Sequence, residues 1–362
     1  MQKKIQYDLR LQPLWTRIVL LSVLGYEGLG GLVGGSFLVA KSNGELMKMP
    51  VEIMHGTFND FLIPGIILFV MGVLSLFAFF RILRKRQNDW LWSCVGLLGW
   101  YIWFVVEIII LQELHWLHLM WGVPVLLGII TAVPLVVARN NTSSMLNYLL
   151  YCGILSSLWY TFMNVFVPLH YPGYSSTSLT VSELSAIGAP TRILWVLLGT
   201  LYPLLYAAFG WGVLYASGNN KKLKILSALI IGYSVLNLYW PPMHTREAIA
   251  SGAKSLSDTL HIAWTIATVL LFVFTMAFGA AVFGKTFRIY TIISITLLVG
   301  FGILTSQDAP NLEANLPTPM MGLWERINQY IYFLWVIVLS IQLIKKNKIN
   351  SNRPDLPTSE AN

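Results

Sequence analysis

The sequence predicts an all-α, polytopic transmembrane helix bundle of about ten spans with both termini cytoplasmic. Three observations carry that reading. Ten stretches are apolar over about 20 residues, the length a helix needs to cross roughly 30 Å of hydrocarbon. Apolar residues make up 56% of the chain and charged residues only 11%. Lys and Arg sort by side: the N-terminus, the even-numbered connections and the tail hold 18 of the 24 basic residues. The positive-inside rule then places both termini in the cytoplasm of a plasma (cell) membrane. The net charge of +8 is thus a topology signal and not a nucleic-acid footprint.

The ten spans cover residues 14–40, 62–81, 90–111, 117–137, 146–167, 193–215, 223–240, 260–283, 289–305 and 327–344. In lipid each backbone must satisfy its own hydrogen bonds, so each span is a helix. The first is too long for a cleavable signal peptide, carries Glu27 and lacks a small-residue cleavage site. It also holds Gly30/Gly34 and Gly31/Gly35, small-x-x-x-small pairs that permit close helix approach. Arg81 to Gln87 (RILRKRQ) is an orientation determinant that can also meet acidic lipid. Cys94 and Cys152 both fall within spans, which argues against a disulfide framework.

Asn140 to Ser144 form a polar run after the fourth span. A domain boundary there gives a four-helix region (1–140), a polar cytoplasmic linker (141–145), a six-helix domain (146–344) and a disordered cytoplasmic tail (345–362).

Acids and imidazoles concentrate on the other side. Ten of the 16 acids and all six histidines map to the outer connections or their interface. Any binding or catalytic chemistry is expected there. The outer loops of the second half bring Ser182, Glu183, Arg192, His244, Arg246, Ser257, Asp258, His261, Asp308, Glu325 and Arg326 to one membrane face. Glu183, Arg192, His244, Asp258, His261 and Asp308 are expected in one polar cluster.

Asp258 and His261 are three apart, and Ser257 and His261 four apart, so they share a helix face. Acid plus imidazole at that spacing suits zinc, with Glu183, His244 or Asp308 completing the shell. The same groups suit a Ser-His-Asp nucleophile built on Ser257, Asp258 and His261. Capping and ion pairing account for them equally: Ser257 and Asp258 precede an apolar run, and Arg192 and Arg246 can neutralise Glu183 and Asp308.

Glu27 and Glu107 fall inside spans, where an ionisable group costs roughly 2.5–3.5 kcal/mol on insertion scales. They read as hydrogen-bonded structural acids or as a proton or cation relay. His115 and His118, three apart, read as interfacial residues at a tight turn or as a metal pair.

Four loop segments carry a resemblance. They are HYPGYSSTSLTVSELSAIGAPTR from His170, PPMHTR from Pro241, SLSDTLHIAW from Ser255 and DAPNLEANLPTPMMGLWERIN from Asp308. Together they resemble the prokaryotic membrane family catalogued as domain of unknown function 998, over about residues 146–344. That resemblance implies a six-helix fold and no established activity. The SELSAIGAPTR loop is faintly similar to the outer loop of the Frag1/DRAM/Sfk1 membrane family, whose Tyr-Ile-Ser-Asp string is absent here. The Ser-x-x-x-His spacing is similar to one element of ceramidase-like hydrolases, without their later His-x-x-x-His pair. FNDFLIPGIILF from Phe58 resembles small four-helix bacterial membrane proteins and implies no chemistry.

Three functional classes stay open. The leading one is a non-enzymatic prokaryotic membrane protein whose outer cap binds a small ligand, a lipid headgroup or a membrane-protein partner. A membrane-embedded, zinc-dependent or metal-free hydrolase at the outer leaflet comes second. A proton-coupled transporter using Glu27 and Glu107 comes third, against which the 4 + 6 layout argues.

Overall fold

The computed structural model describes residues 12–140 and 143–351. Lys3, Lys4, Asp8, Arg10, Asn141, Thr142 and residues 352–362, with Arg353, Asp355 and Glu360, lie outside the described residues. Among the described residues nine helices are long and apolar enough to cross a membrane. The architecture is an all-α polytopic bundle whose periphery is apolar: Leu29, Ile102, Tyr148, Leu158, Ile266 and Leu334 are all exposed on it.

The first four helices are α1 (Leu14–Ala40), α2 (Leu62–Leu83), α3 (Asp89–Leu111) and α4 (Trp116–Arg139). Lipid tails supply no hydrophobic drive between helices, so close packing must. The α1 glycines provide it. A Cβ on Gly31 would lie 2.9 Å from the Gly72 Cα, and one on Gly35 only 2.5 Å from the Phe69 backbone nitrogen. Gly30 instead admits the Trp121 ring of α4, and Gly34 faces the Leu68 side chain. At the terminal end of this half, Arg139 grips the buried Asp89 with two hydrogen bonds, 3.0 and 2.6 Å, and ties α4 to the start of α3. That fork geometry suits a guanidinium and a carboxylate.

The second half begins with α5 (Ser143–Phe166), then α6 (Arg192–Gly199) and α7 (Leu201–Ser217). The expected span 193–215 therefore divides at Thr200. Pro203 lacks the N–H that would bond the Gly199 carbonyl, and the Thr200 hydroxyl turns back to the Leu197 carbonyl at 2.8 Å. Next come α8 (Lys221–Leu236), the single turn α9 (Arg246–Ala248), α10 (Leu256–Ala280), α11 (Lys285–Gln307), the short α12 (Ala309–Glu313) and α13 (Met321–Ser351).

Helix α8 stands where the sequence predicts a span over 223–240. It has 16 residues, which reach only about 24 Å. Asn220 starts it by accepting from the Lys222 and Leu223 amides. The chain leaves helix at Asn237, ahead of Pro241 and Pro242. Helix α13 runs to Ser351, past the expected end at 344, so the start of the expected tail is helical.

Helix α7 is the hub of this half. Tyr206, Phe209, Trp211 and Val213 are fully buried, and α7 packs on α4, α5, α8 and α13. The two halves meet where α4 packs on α7. The Trp211 indole donates to the Ile130 carbonyl at 3.0 Å, Trp15 stacks on Trp211, and the Tyr101 and Thr200 hydroxyls bond at 2.8 Å.

Candidate functional site

The long connections of the second half, 171–191, 237–255 and 308–320, meet over one end of the helices. Burial of their polar groups demands partners, and the partners come from one another. Arg246 donates to both Glu183 oxygens at 2.6 and 2.9 Å, with Glu183 and Arg246 only 4% and 7% exposed. Its third donor reaches the Thr318 hydroxyl at 3.1 Å, and Thr318 donates to the Ser178 carbonyl. Glu183 also accepts from the Thr180 amide and hydroxyl. Burial alone lowers the Arg246 pKa, but the Glu183 hydrogen bonds and charge outweigh it and leave it above the ordinary value.

Asp258 is the second node. It accepts four hydrogen bonds, from the His244 amide at 2.7 Å, His244 Nδ1 at 2.9 Å, the Ser255 amide at 2.8 Å and the Ser255 hydroxyl at 2.9 Å. With Ser255 it forms a capping box at the start of α10. A bridge between Ile187 and His244 ties the 171–191 loop to the same node.

Arg326 is the third. Its guanidinium donates to the Ser176, Leu179 and Gly322 carbonyls and to the Tyr174 hydroxyl, and lies over the Tyr174 ring. Beside it, Glu325 accepts the Val181 amide at 2.7 Å. Burial raises the Tyr174 phenol well above its ordinary range, so the ring stays neutral.

Sequence expectation and geometry differ at four points. Ser257 does not face His261; its hydroxyl donates to the Pro242 carbonyl at 2.6 Å. Arg192 does not neutralise Glu183 but donates to the Ser185 carbonyl at 2.8 Å. Asp308 stands apart from the cluster and meets Asn311, three residues on in its own segment. No group of three His, Cys, Asp or Glu able to hold a metal ion occurs among the described residues. Of the zinc candidates, Asp258 and His244 stay in contact, while Glu183 is held by Arg246 and His261 by Pro241 and Ser182.

His261 makes the contact the sequence does not reveal. Its Nδ1 lies 2.7 Å from the Pro241 carbonyl, which only accepts, so Nδ1 carries the proton. In the neutral ring, Nε2 then accepts from the Ser182 hydroxyl at 3.0 Å. This pair lines a cavity of about 130 Å³ beneath the cap. Glu325, Asn328 and Gln329 add polar groups, and Tyr160, Trp195 and Phe333 add aromatic wall. Thr268 also lines it, and its buried hydroxyl oxygen has no hydrogen-bond partner among the described residues.

The four loop segments quoted above each supply a member of this network: Glu183, Arg246, Asp258 and Arg326. The family described as Protein of unknown function (DUF998) matches residues 154–342, over half of the chain. The chain belongs to this family. The DUF998 match contains all three nodes and the cavity beneath them, while α1–α4 lie outside it. No curated protein and no solved structure matches the chain. The likeness of one loop to the Frag1/DRAM/Sfk1 family finds no support among these matches.

Two intramembrane acids complete the inventory. Glu27 is fully buried on α1, and neither of its oxygens has a hydrogen-bond partner among the described residues. Glu107, on α3, lies 3.8 Å from His118. His115 and His118 cap α4: His115 Nδ1 accepts the Leu117 amide and His118 Nδ1 accepts the His115 amide.

Proposed function

We propose that this DUF998 member is a non-enzymatic plasma-membrane protein, with cytoplasmic termini, that holds a small ligand in the cavity beneath its extracytoplasmic cap. The unpartnered Thr268 hydroxyl carries the reading. A buried hydroxyl without a partner costs roughly 1–3 kcal/mol, which a bound donor or acceptor relieves. The cap itself is a poor site, because Glu183, Arg246 and Asp258 already hold partners within it. The cavity combines Ser182, His261 and Asn328 with aromatic walls. That lining suits a small neutral molecule with two or more polar groups and an apolar face.

Native mass spectrometry of the intact protein tests this. Wild type should carry a bound mass that Thr268→Phe, which fills the cavity, removes. Wild type with no bound mass, and with no thermal stabilisation by any member of a polar-metabolite panel, sinks the reading. The orientation is tested separately. Cysteines placed at Gly173 and Asn219 should label from opposite sides of the membrane; outside labelling of both overturns it.

The Ser182–His261 contact favours a second reading, an acyl hydrolase. Ser182 Oγ attacks an ester carbonyl as its proton passes to His261 Nε2. His261 then returns that proton to the leaving alcohol, and water releases the acyl group by the same path. The Pro241 carbonyl holds the ring in the tautomer this needs. A fluorophosphonate probe should label wild type and neither Ser182→Ala nor His261→Ala. Absence of wild-type labelling removes this reading and leaves the first intact.

A further inference from the structure

The four-helix half carries a partly open cavity of about 510 Å³ lined by α1, α2, α3, α4 and the connection between α1 and α2. That volume lies within the range of small-molecule sites, roughly 300–1,000 Å³. Gly30, Gly34 and Gly99 line the cavity, and their missing side chains let Trp121, Leu68 and Met71 close against the helix backbones. Trp100, Trp103 and Trp121 turn indole surface toward it. Met47, Met49, Met54 and Met71 supply flexible, polarizable surface that accommodates ligands of varied shape.

One acid faces this apolar space. Glu107 lines the cavity together with Trp103. His118 also lines the cavity, 3.8 Å from Glu107, beyond hydrogen-bonding distance. No Lys or Arg among the described residues lines it. A carboxylate placed at membrane depth calls for a cation, and indole faces attract cations as well.

We infer that the four-helix half binds a lipophilic organic cation, with the apolar body among the methionines and tryptophans and the positive centre at Glu107. The site is separate from the cavity beneath the cap and does not rest on its occupant. A free organic amine and the amine headgroup of a lipid share the chemistry.

The test uses full-length protein in phosphatidylglycerol nanodiscs, titrated calorimetrically with tetraphenylphosphonium, with empty discs subtracted. Tetraphenylborate, of the same shape and opposite charge, is the control. Wild type should bind tetraphenylphosphonium saturably at one site and tetraphenylborate at none. Glu107→Gln should weaken the cation by about tenfold or more. Met71→Trp, which fills the cavity and keeps Glu107, should also abolish binding. Equal binding of both ions by wild type overturns the inference without reference to any variant. So does unchanged binding in a folded Glu107→Gln protein, or no saturable cation binding at all. Replacing part of the lipid by phosphatidylethanolamine separates the two sources: a weaker apparent affinity assigns the site to a lipid amine, and an unchanged one to a free cation.

Discussion

The two halves of this chain solve the same problem by opposite means. Both must hold helices together in a solvent that gives apolar contacts no advantage. The four-helix half brings backbones close, with Gly31 and Gly35 of α1 against Gly72 and Phe69 of α2, and spends few polar groups inside. The six-helix half ties its helix ends through a cap of buried ions and carbonyls, and fills its centre with large aromatics such as Trp211, Tyr206 and Trp335. Glycine contact fixes distance and leaves space elsewhere, hence the open cavity beside Glu107. Ion pairing fixes orientation and closes space, hence the smaller cavity beneath the cap, where polar groups meet an aromatic wall.

The comparison breaks most visibly at Arg246. Arg246→Ala leaves Glu183 charged and buried, so we expect a loss of about 3–5 kcal/mol in detergent unfolding. The double replacement Glu183→Met with Arg246→Met should recover most of it. Equal loss in single and double variants would show that Arg246 acts through Thr318 and not through the pair. Asp258→Asn comes next, at about 1.5–3 kcal/mol, because both carboxylate oxygens face N–H or O–H donors and an amide NH2 would oppose one set. A stability equal to wild type would reduce Asp258 to a simple helix cap.

On the glycine side, Gly35→Ala must part α1 from α2 and should cost about 1–3 kcal/mol. Gly232→Ala, whose added Cβ meets nothing, should be neutral or stabilise by up to ~1 kcal/mol. Similar effects at both positions would deny that backbone contact holds the four-helix half. The smallest expected effect is that of removing residues 1–140. We propose that 146–344 folds as a unit, so the fragment should remain monodisperse by size exclusion. Aggregation rescued by co-expressed 1–140 would make the Trp211–Ile130 seam part of one folding unit.

Much of the fold is legible in the sequence because span length and apolarity are set locally. The break at Thr200 is legible only once Pro203 is weighed against its Gly199 partner, and the brevity of α8 only once Pro241 and Pro242 are taken as a stop. The site is less legible. Sequence places Glu183, Arg192 and Arg246 on one face but cannot choose between the two arginines, since the choice depends on how the 171–191 loop turns over α10. Ser182, not Ser257, meets His261 for the same reason. Ring position three residues from Asp258 matters less than which loop crosses above it. Cavity volume has no local signature at all; it is what remains after every neighbour has packed.

Asp258 accepts donors from two segments that arrive from different directions, the His244 loop and the start of α10. Neither can leave without stranding the other's hydrogen bonds. The 241–258 loop and the first turn of α10 should therefore open together or not at all. In hydrogen exchange they form one cooperative unit, with the His244 and Ser255 amides protected to the same degree and losing that protection at the same denaturant concentration.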